Sequence, residues 1–122
     1  MIVIDSSGWI EYFTDGPLSA EYTKYLKDLT KIVTPTIILY EVYKKVRKER
    51  TEEDALLAVS LISRTSIIPL RESTSLLAAD LSLKHSLPMA DAIVYATALE
   101  ENCKVITSDI HFKGLDHVTL IK

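Results

Sequence analysis

Seventeen acids stand in this 122-residue chain, and most lie in plainly polar stretches. Four do not. Asp5 ends the apolar run MIVID, Glu41 interrupts IILYEVY, Asp91 interrupts PMADAIVYA, and Asp109 follows VITS. Asp91 is the one charge in LPMADAIVYATAL, from Leu87 to Leu99. Singly, each acid has an ordinary explanation. Asp5 and Asp109 are placed to cap helices that follow strands. Glu41 is placed to pair with Lys45 one turn on, and Asp91 to favour a helix N-terminus through the dipole. Taken together they point to different chemistry. Four carboxylates brought close repel one another, and one or more stays protonated. A divalent cation removes the conflict, and an all-oxygen ligand set suits Mg²⁺ or Mn²⁺ rather than zinc.

That chemistry requires elements that bring the four positions to one place. MIVID, KIVTP, SIIPL, KVIT and HVTLI read as short β-branched strands. Helical spacing lies between them. Tyr22, Tyr25, Leu26 and Leu29 mark one helix, and Leu39, Val42, Tyr43 and Val46 form one face of the next. Thr51 followed by Glu52, Glu53 and Asp54 opens a helix carrying Leu57, Leu61 and Ile62. Leu76, Leu77, Asp80, Leu83 and Lys84 mark another, and Ser86 and Pro88 open a last one that runs through Glu101. SDIHF reads as a turn or short helix. Short apolar strands alternating with helices predict an α/β fold with a parallel sheet covered on both faces. The carboxyl ends of parallel strands share one edge, where ligands gather. Asp5 and Asp109 fall at that edge. The helices carrying Glu41 and Asp91 begin there, so one geometry gathers all four acids.

Size and composition limit the alternatives. The length suits one domain, residues 1–122, and the composition is that of a soluble globular protein: 48% hydrophobic, 25% charged. Cys103 is the single cysteine and forms no internal disulfide, which fits a reducing cytoplasm. The start lacks the basic and apolar regions of a signal peptide, and no apolar run approaches the roughly 18 residues of a membrane span. A net charge of −3 argues against coating nucleic acid by bulk charge. Basic charge is nonetheless clustered in KKVRKER, where Lys44, Lys45 and Lys48 either attract an RNA backbone or form a solvated helix end. His85, His111, His117 and Cys103 match no zinc spacing and are expected in surface or loop roles, with a phosphate contact open to His111. Trp9, Tyr40 and Tyr43 are expected to pack on neighbours.

The ordered set VIDSSGW, ILYEV, MADAIVYATAL and VITSDIHF resembles the PIN-domain ribonucleases, in particular the VapC-like toxins of type II toxin–antitoxin modules, over nearly the whole chain. The family pattern has an acid and a hydroxyl after the first strand, here Asp5 and Ser6. It has an Asp-Ala pair opening a small-residue helix, here Asp91 and Ala92, and a Thr/Ser-x-Asp near the last strands, here Thr107 to Asp109. Ser7 stands where many relatives carry Asn or another polar residue. The resemblance implies a PIN-like three-layer α/β/α sandwich with a mostly parallel central sheet. It also implies a Mg²⁺- or Mn²⁺-dependent endoribonuclease in which Asp5, Glu41, Asp91 and Asp109 hold the metal while Ser6 and Thr107 orient carboxylates. The implied partners are an RNA substrate, often tRNA or rRNA, a small antitoxin protein and a second copy in a homodimer. A metal centre of this kind polarises a phosphodiester and activates water. Two other readings stay open: an aspartyl-phosphate-forming phosphotransferase or receiver-like domain with Asp5 phosphorylated, and a non-catalytic PIN-like interaction module.

Overall fold

A computed structural model describes residues 1–122. The chain runs β1 (Ile2–Ile4), α1 (Ser6–Phe13), α2 (Ser19–Thr23), a 3₁₀ turn (Leu29–Lys31), β2 (Val33–Pro35), α3 (Thr36–Glu49), α4 (Glu52–Ile62), β3 (Ser66–Ile68), α5 (Glu72–His85), α6 (Met89–Glu100), β4 (Lys104–Thr107), a second 3₁₀ turn (Ile110–Phe112) and β5 (Val118–Leu120). Every strand pairing is parallel. The strands β1, β4 and β5 form one ladder and β2 and β3 another, joined by a parallel bridge between Ile2 and Ile32. The spatial order is therefore β3-β2-β1-β4-β5. From β1 the chain moves outward on one side through β2 and β3, then returns through α5 and α6 to β4 on the other side. The order reverses between β1 and β4, and in open parallel sheets the crevice beyond that reversal is where ligands bind.

Right-handed crossovers put α1 to α4 over one face and α5 and α6 over the other, in keeping with the packing of α1 on α2 and α3, α3 on α4, and α5 on α6. This is the three-layer α/β/α arrangement expected from the strand–helix alternation. The helix faces turn out more finely set than the leucines suggest. The inward stripe of α3 is Ile38, Val42 and Val46, with Leu39 and Tyr43 half-buried beside it. In α4 the buried residues are Ala55, Ala58 and Ile62, whereas Leu57 is 63% exposed. In α5 they are Thr74, Ala78 and Leu81, whereas Leu76 and Leu83 face solvent. Small residues therefore share the inner faces with Ile62 and Leu81, while Leu57, Leu76 and Leu83 lie outside them. Only α6 is buried nearly all round, including Ala92, Val94, Tyr95, Ala96 and Ala98, which is why its sequence is continuously small and apolar.

The helix read from Tyr22 through Leu29 is shorter than its spacing implied. The helical turn α2 stops at Thr23, and Asp28 starts the 3₁₀ turn by accepting the Thr30 amide at 3.1 Å. Such local carboxylate–backbone bonds compete with helix continuation. Tyr22 itself is fully buried against Gly8. A Cβ at Gly8 would lie 2.4 Å from the Tyr22 ring and 2.8 Å from Ile4, so glycine is what lets α1 seat on both. Trp9 is fully buried as expected, stacked on Phe13 with ring centroids 6.0 Å apart. Tyr40 corrects its expectation: it is 60% exposed, with the Lys44 ammonium 5.4 Å over its ring. No helix is long and apolar enough to cross a membrane.

Candidate metal centre

Asp5 sits where β1 gives way to α1. Its amide donates to the Ile106 carbonyl of β4 at 3.0 Å, extending the ladder by one bond and pinning the residue over the sheet reversal. In position it is the N-cap of α1, yet its side chain caps nothing. The Asp5 Oδ2 atom instead accepts the Thr107 hydroxyl at 2.8 Å and the Ser7 hydroxyl at 3.3 Å. Its Oδ1 is buried and has no partner, although the residue is only 2% exposed. An unpaired carboxylate oxygen this deep is costly unless something outside the protein chain satisfies it. Burial raises the Asp5 pKa, the Thr107 and Ser7 hydroxyls oppose the rise, and the Asp109 charge adds to it.

Asp109 follows β4 across the reversal. It does cap: Oδ1 accepts the His111 amide at 2.9 Å and starts the second 3₁₀ turn. Its own amide donates to Thr107 Oγ1 at 3.0 Å. Thr107, fully buried, thus holds Asp5 and Asp109 in one hydrogen-bonded frame. Asp91 arrives from the first turn of α6, 9% exposed. Burial, then the charges of Asp109 and Asp5, push its pKa up to about 7, while His111 pulls against them. Asp91 does stand in the first turn of α6, where the dipole favours its ionised form, but burial and the neighbouring acids act against that ionisation.

Glu41 lies at the margin of this group. Lys45 does not pair with it; Lys45 bonds Glu49 at 2.8 Å instead. Burial raises the Glu41 pKa, the charges of Asp5 and Asp109 add to that, and the neighbouring Ser6 hydroxyl works against it. Ser6 and Glu41 open a groove of about 320 Å³ that continues over Ile10 and Tyr40 to Lys44, Lys45 and Lys48. The four acids are thereby brought to one end of the sheet: Asp91 and Asp109 lie closest together, Asp5 is tied to Asp109 through Thr107, and Glu41 faces the groove.

Three participants, Ser7, Tyr22 and Ser108, were not assigned a role by the sequence, and a fourth, His111, takes a different one. Ser7 bonds Asp5 and lies 3.4 Å from both Tyr22 Oη and Thr107 Oγ1. Tyr22 donates to Ser108 Oγ at 2.8 Å, tying α2 to the Asp109 loop. Nothing in an apolar-looking Tyr or a loop Ser marks such a tie. His111, expected in a surface or loop role, places Nδ1 2.9 Å from Asp109 Oδ1 and 3.2 Å from Asp91 Oδ2. Its position two residues past an acid that starts a turn was the available signal. His85, by contrast, packs edge-on to Tyr95.

Oxygen donors from Asp5, Asp91 and Asp109, an unpaired buried Oδ1 and two core carboxyls whose ionisation burial opposes fit a hard divalent cation. One donor from each of Asp91, Asp109 and His111 lies within 4.8 Å of the others. A hard cation is also what a nuclease of the PIN type would require. The family model for the PIN domain matches residues 2–118. Among curated proteins no sequence matches. Solved structures share the fold at low identity. A toxin–antitoxin complex from Klebsiella pneumoniae superposes with a TM-score of 0.82 at 21% identity, covering 98% of this chain and 96% of that one. VapC20 of Mycobacterium tuberculosis, a Sarcin-Ricin loop cleaving toxin, gives 0.79 at 13% identity, with 95% of each chain covered. VapBC2 of Rickettsia felis, bound to a DNA fragment from its promoter, gives 0.78 at 21%, covering 99% and 98%. With the family model spanning nearly all of the sequence and the acids meeting beyond the β1/β4 reversal, the chain belongs to the PIN domain family.

Proposed function

We propose that this protein is a divalent-metal-dependent endoribonuclease, the toxin of a toxin–antitoxin pair. The observation that carries the reading is the unpaired, buried Asp5 Oδ1 within a group of mutually repelling acids. Asp5, Asp91 and Asp109 would hold Mg²⁺ or Mn²⁺, with Glu41 acting at the groove side. The cation supplies polarisation of a phosphodiester, a more acidic bound water and stabilisation of the leaving oxygen. The chain's own contribution is placement. Thr107 and Ser7 fix the rotamer of Asp5, Thr107 fixes the Asp109 backbone, and Ser6 stands beside Glu41. Such supporting bonds set ligand orientation and basicity. Lys44, Lys45 and Lys48 line the groove that leads away from Glu41, a path suited to an RNA backbone. A single-stranded loop fits an open groove of this kind better than a duplex, whose bases are stacked out of reach.

The toxin assignment draws on structural neighbours that are toxin–antitoxin complexes. The corresponding partners here are a small antitoxin protein and a second copy of the chain, and the compartment is the cytoplasm. Nothing favours an aspartyl phosphate. Asp5 is 2% exposed, and its Oδ2 is engaged by the Thr107 and Ser7 hydroxyls. A non-catalytic module would have no need of the retained acids. Incubating the purified chain with total RNA in Mg²⁺, Mn²⁺ or EDTA tests the reading. Cleavage at defined sites is expected with either metal and none in EDTA. Cutting that persists in EDTA, or in both Asp5→Asn and Asp91→Asn, refutes it.

A further inference from the structure

We propose that His111 is itself a ligand of the metal, so that the centre is a mixed nitrogen–oxygen site that takes Mn²⁺ in preference to Mg²⁺. The proposal rests on the metal-centre reading above and adds to it a donor of a different chemical class.

Three observations converge on this ring. The first is distance. An octahedral shell with ligands at about 2.1 Å places neighbouring donors about 3 Å apart. His111 Nδ1 stands 2.9 Å from Asp109 Oδ1 and 3.2 Å from Asp91 Oδ2, the spacing of two edges that meet at one vertex of such a shell, and the three donor residues each offer an atom within 4.8 Å of the others. The second is restraint. The 3₁₀ turn is tied down at both ends of His111. The His111 amide donates to Asp109 Oδ1 at 2.9 Å, and the next residue, Phe112, is fully buried. The backbone at His111 is thus fixed beside the acids, and from there its side chain, 54% exposed, reaches both carboxylates. The third is a deficit in the same frame. Asp5 Oδ1, more than nine-tenths buried, has no partner among the protein groups, and Thr107 ties the other oxygen of that carboxylate to the Asp109 amide.

A charge-assisted bond from an imidazole N–H to both carboxylates gives the same distances without any nitrogen–metal bond. The two arrangements predict different things. Nitrogen in the inner shell favours the softer transition ion, since Mg²⁺ keeps oxygen and water ligands and imidazole suits later metals. A hydrogen-bonding histidine would be displaced by the cation or left outside its shell, with no bias between metals beyond charge.

Pulsed electron paramagnetic resonance of Mn²⁺ bound to the full chain reads the difference directly. The expected result is a nitrogen coupling in the wild type that changes on incorporation of ¹⁵N-histidine, survives in His85→Gln, and vanishes in His111→Gln. Competition titrations should show the Mn²⁺-over-Mg²⁺ preference falling by about 10-fold or more in His111→Gln; circular dichroism of the metal-free variant checks the fold. Bound Mn²⁺ with no histidine coupling, a coupling that survives in His111→Gln, or equal weakening of both metals overturns the proposal. The nuclease reading would stand if RNA were still cut under those conditions, whereas failure of the wild type to bind either metal removes the centre itself.

Discussion

The acidic pocket beyond β1 and β4 and the lysine-lined groove along α3 share a border at Glu41, and burial separates them. Asp5 is 2% exposed and its partners are fixed hydroxyls. The Lys45 side chain is 48% exposed and pairs only with Glu49, itself 44% exposed. In the pocket, burial and the charges of Asp5 and Asp109 oppose ionisation of the neighbouring acids, and Asp5 Oδ1 is left unsatisfied. Along the groove, exposed ion pairs contribute about 0–1 kcal/mol and are screened by salt. The pocket stores an electrostatic conflict that a cation resolves, while the groove presents charge that water already stabilises. Replacing acids in the first region and lysines in the second should therefore have opposite signatures.

The largest effect is expected from Asp5→Asn and Asp91→Asn. Each should lower RNA cleavage by more than the roughly 10–100-fold that loss of a ligand's supporting partner costs, because each removes a ligand outright. Metal-free stability at neutral pH should hold or rise, since a buried ionised acid is replaced by a neutral isostere. A variant that loses activity only by unfolding would contradict this account of the pocket.

The conflict also has a pH signature. Asp91 is raised from 3.8 to about 7, and Asp5 and Glu41 are raised as well. A folded-state pKa above the unfolded value means that the native protein binds protons more tightly. The stability this gives is fully present below the unfolded pKa and is lost as pH rises through the folded one. For Asp91 the window runs from 3.8 to about 7, and the linkage relation makes its part at most roughly 4 kcal/mol. Urea melts of the metal-free protein should therefore weaken from pH 4.5 to 8 more steeply in the wild type than in Asp91→Asn. Added Mn²⁺ at 100 times its Kd should restore about 2.7 kcal/mol at pH 8 and much less at pH 5. Parallel pH slopes for the two proteins would sink the idea.

A smaller effect tests the frame around the pocket. Thr107→Val keeps the shape of a fully buried residue but deletes the donor to Asp5 Oδ2 and the acceptor of the Asp109 amide. Metal affinity should fall about 10–100-fold, measured by calorimetric titration. An unchanged affinity would mean that Ser7 alone orients Asp5.

How much of this was legible beforehand follows from what each residue type reports. Asp5, Asp91 and Asp109 announced themselves because a charge in an apolar run needs a reason, and the strand–helix alternation supplied the shared edge. Thr107 came only with the family resemblance. Leu57, Leu76 and Leu83 misled, because an apolar stripe counts leucines whereas close helix packing selected Ala55, Ala58, Thr74 and Ala78 for the inside. The Tyr22–Ser108 bond spans 86 residues and depends on Gly8 having no Cβ, a tertiary fact with no local trace. His111 was visible as a residue near an acid at the shared edge, but the turn of its ring toward both Asp109 and Asp91 is a side-chain geometry that no spacing along the chain encodes.

The groove should give the smallest change in folding and a distinct one in binding. Lys44, Lys45 and Lys48 lie along the path from Glu41 and make no buried contact, so Lys→Gln at all three should shift folding stability by no more than about 0.5 kcal/mol per site. Their contribution should surface as salt dependence. Each lysine that neutralises a phosphate of a single strand adds about 0.7 to the slope of log affinity against log salt. The triple variant, measured by anisotropy on a labelled single-stranded RNA in EDTA, should bind more weakly at low salt and converge on the wild type as salt rises. Since the acids are untouched, its turnover at saturating RNA should stay close to the wild type's. An unchanged slope would assign the lysines to a solvated helix end. A loss of saturated turnover would show that the border at Glu41 is not sharp and that the groove shapes the acidic pocket as well.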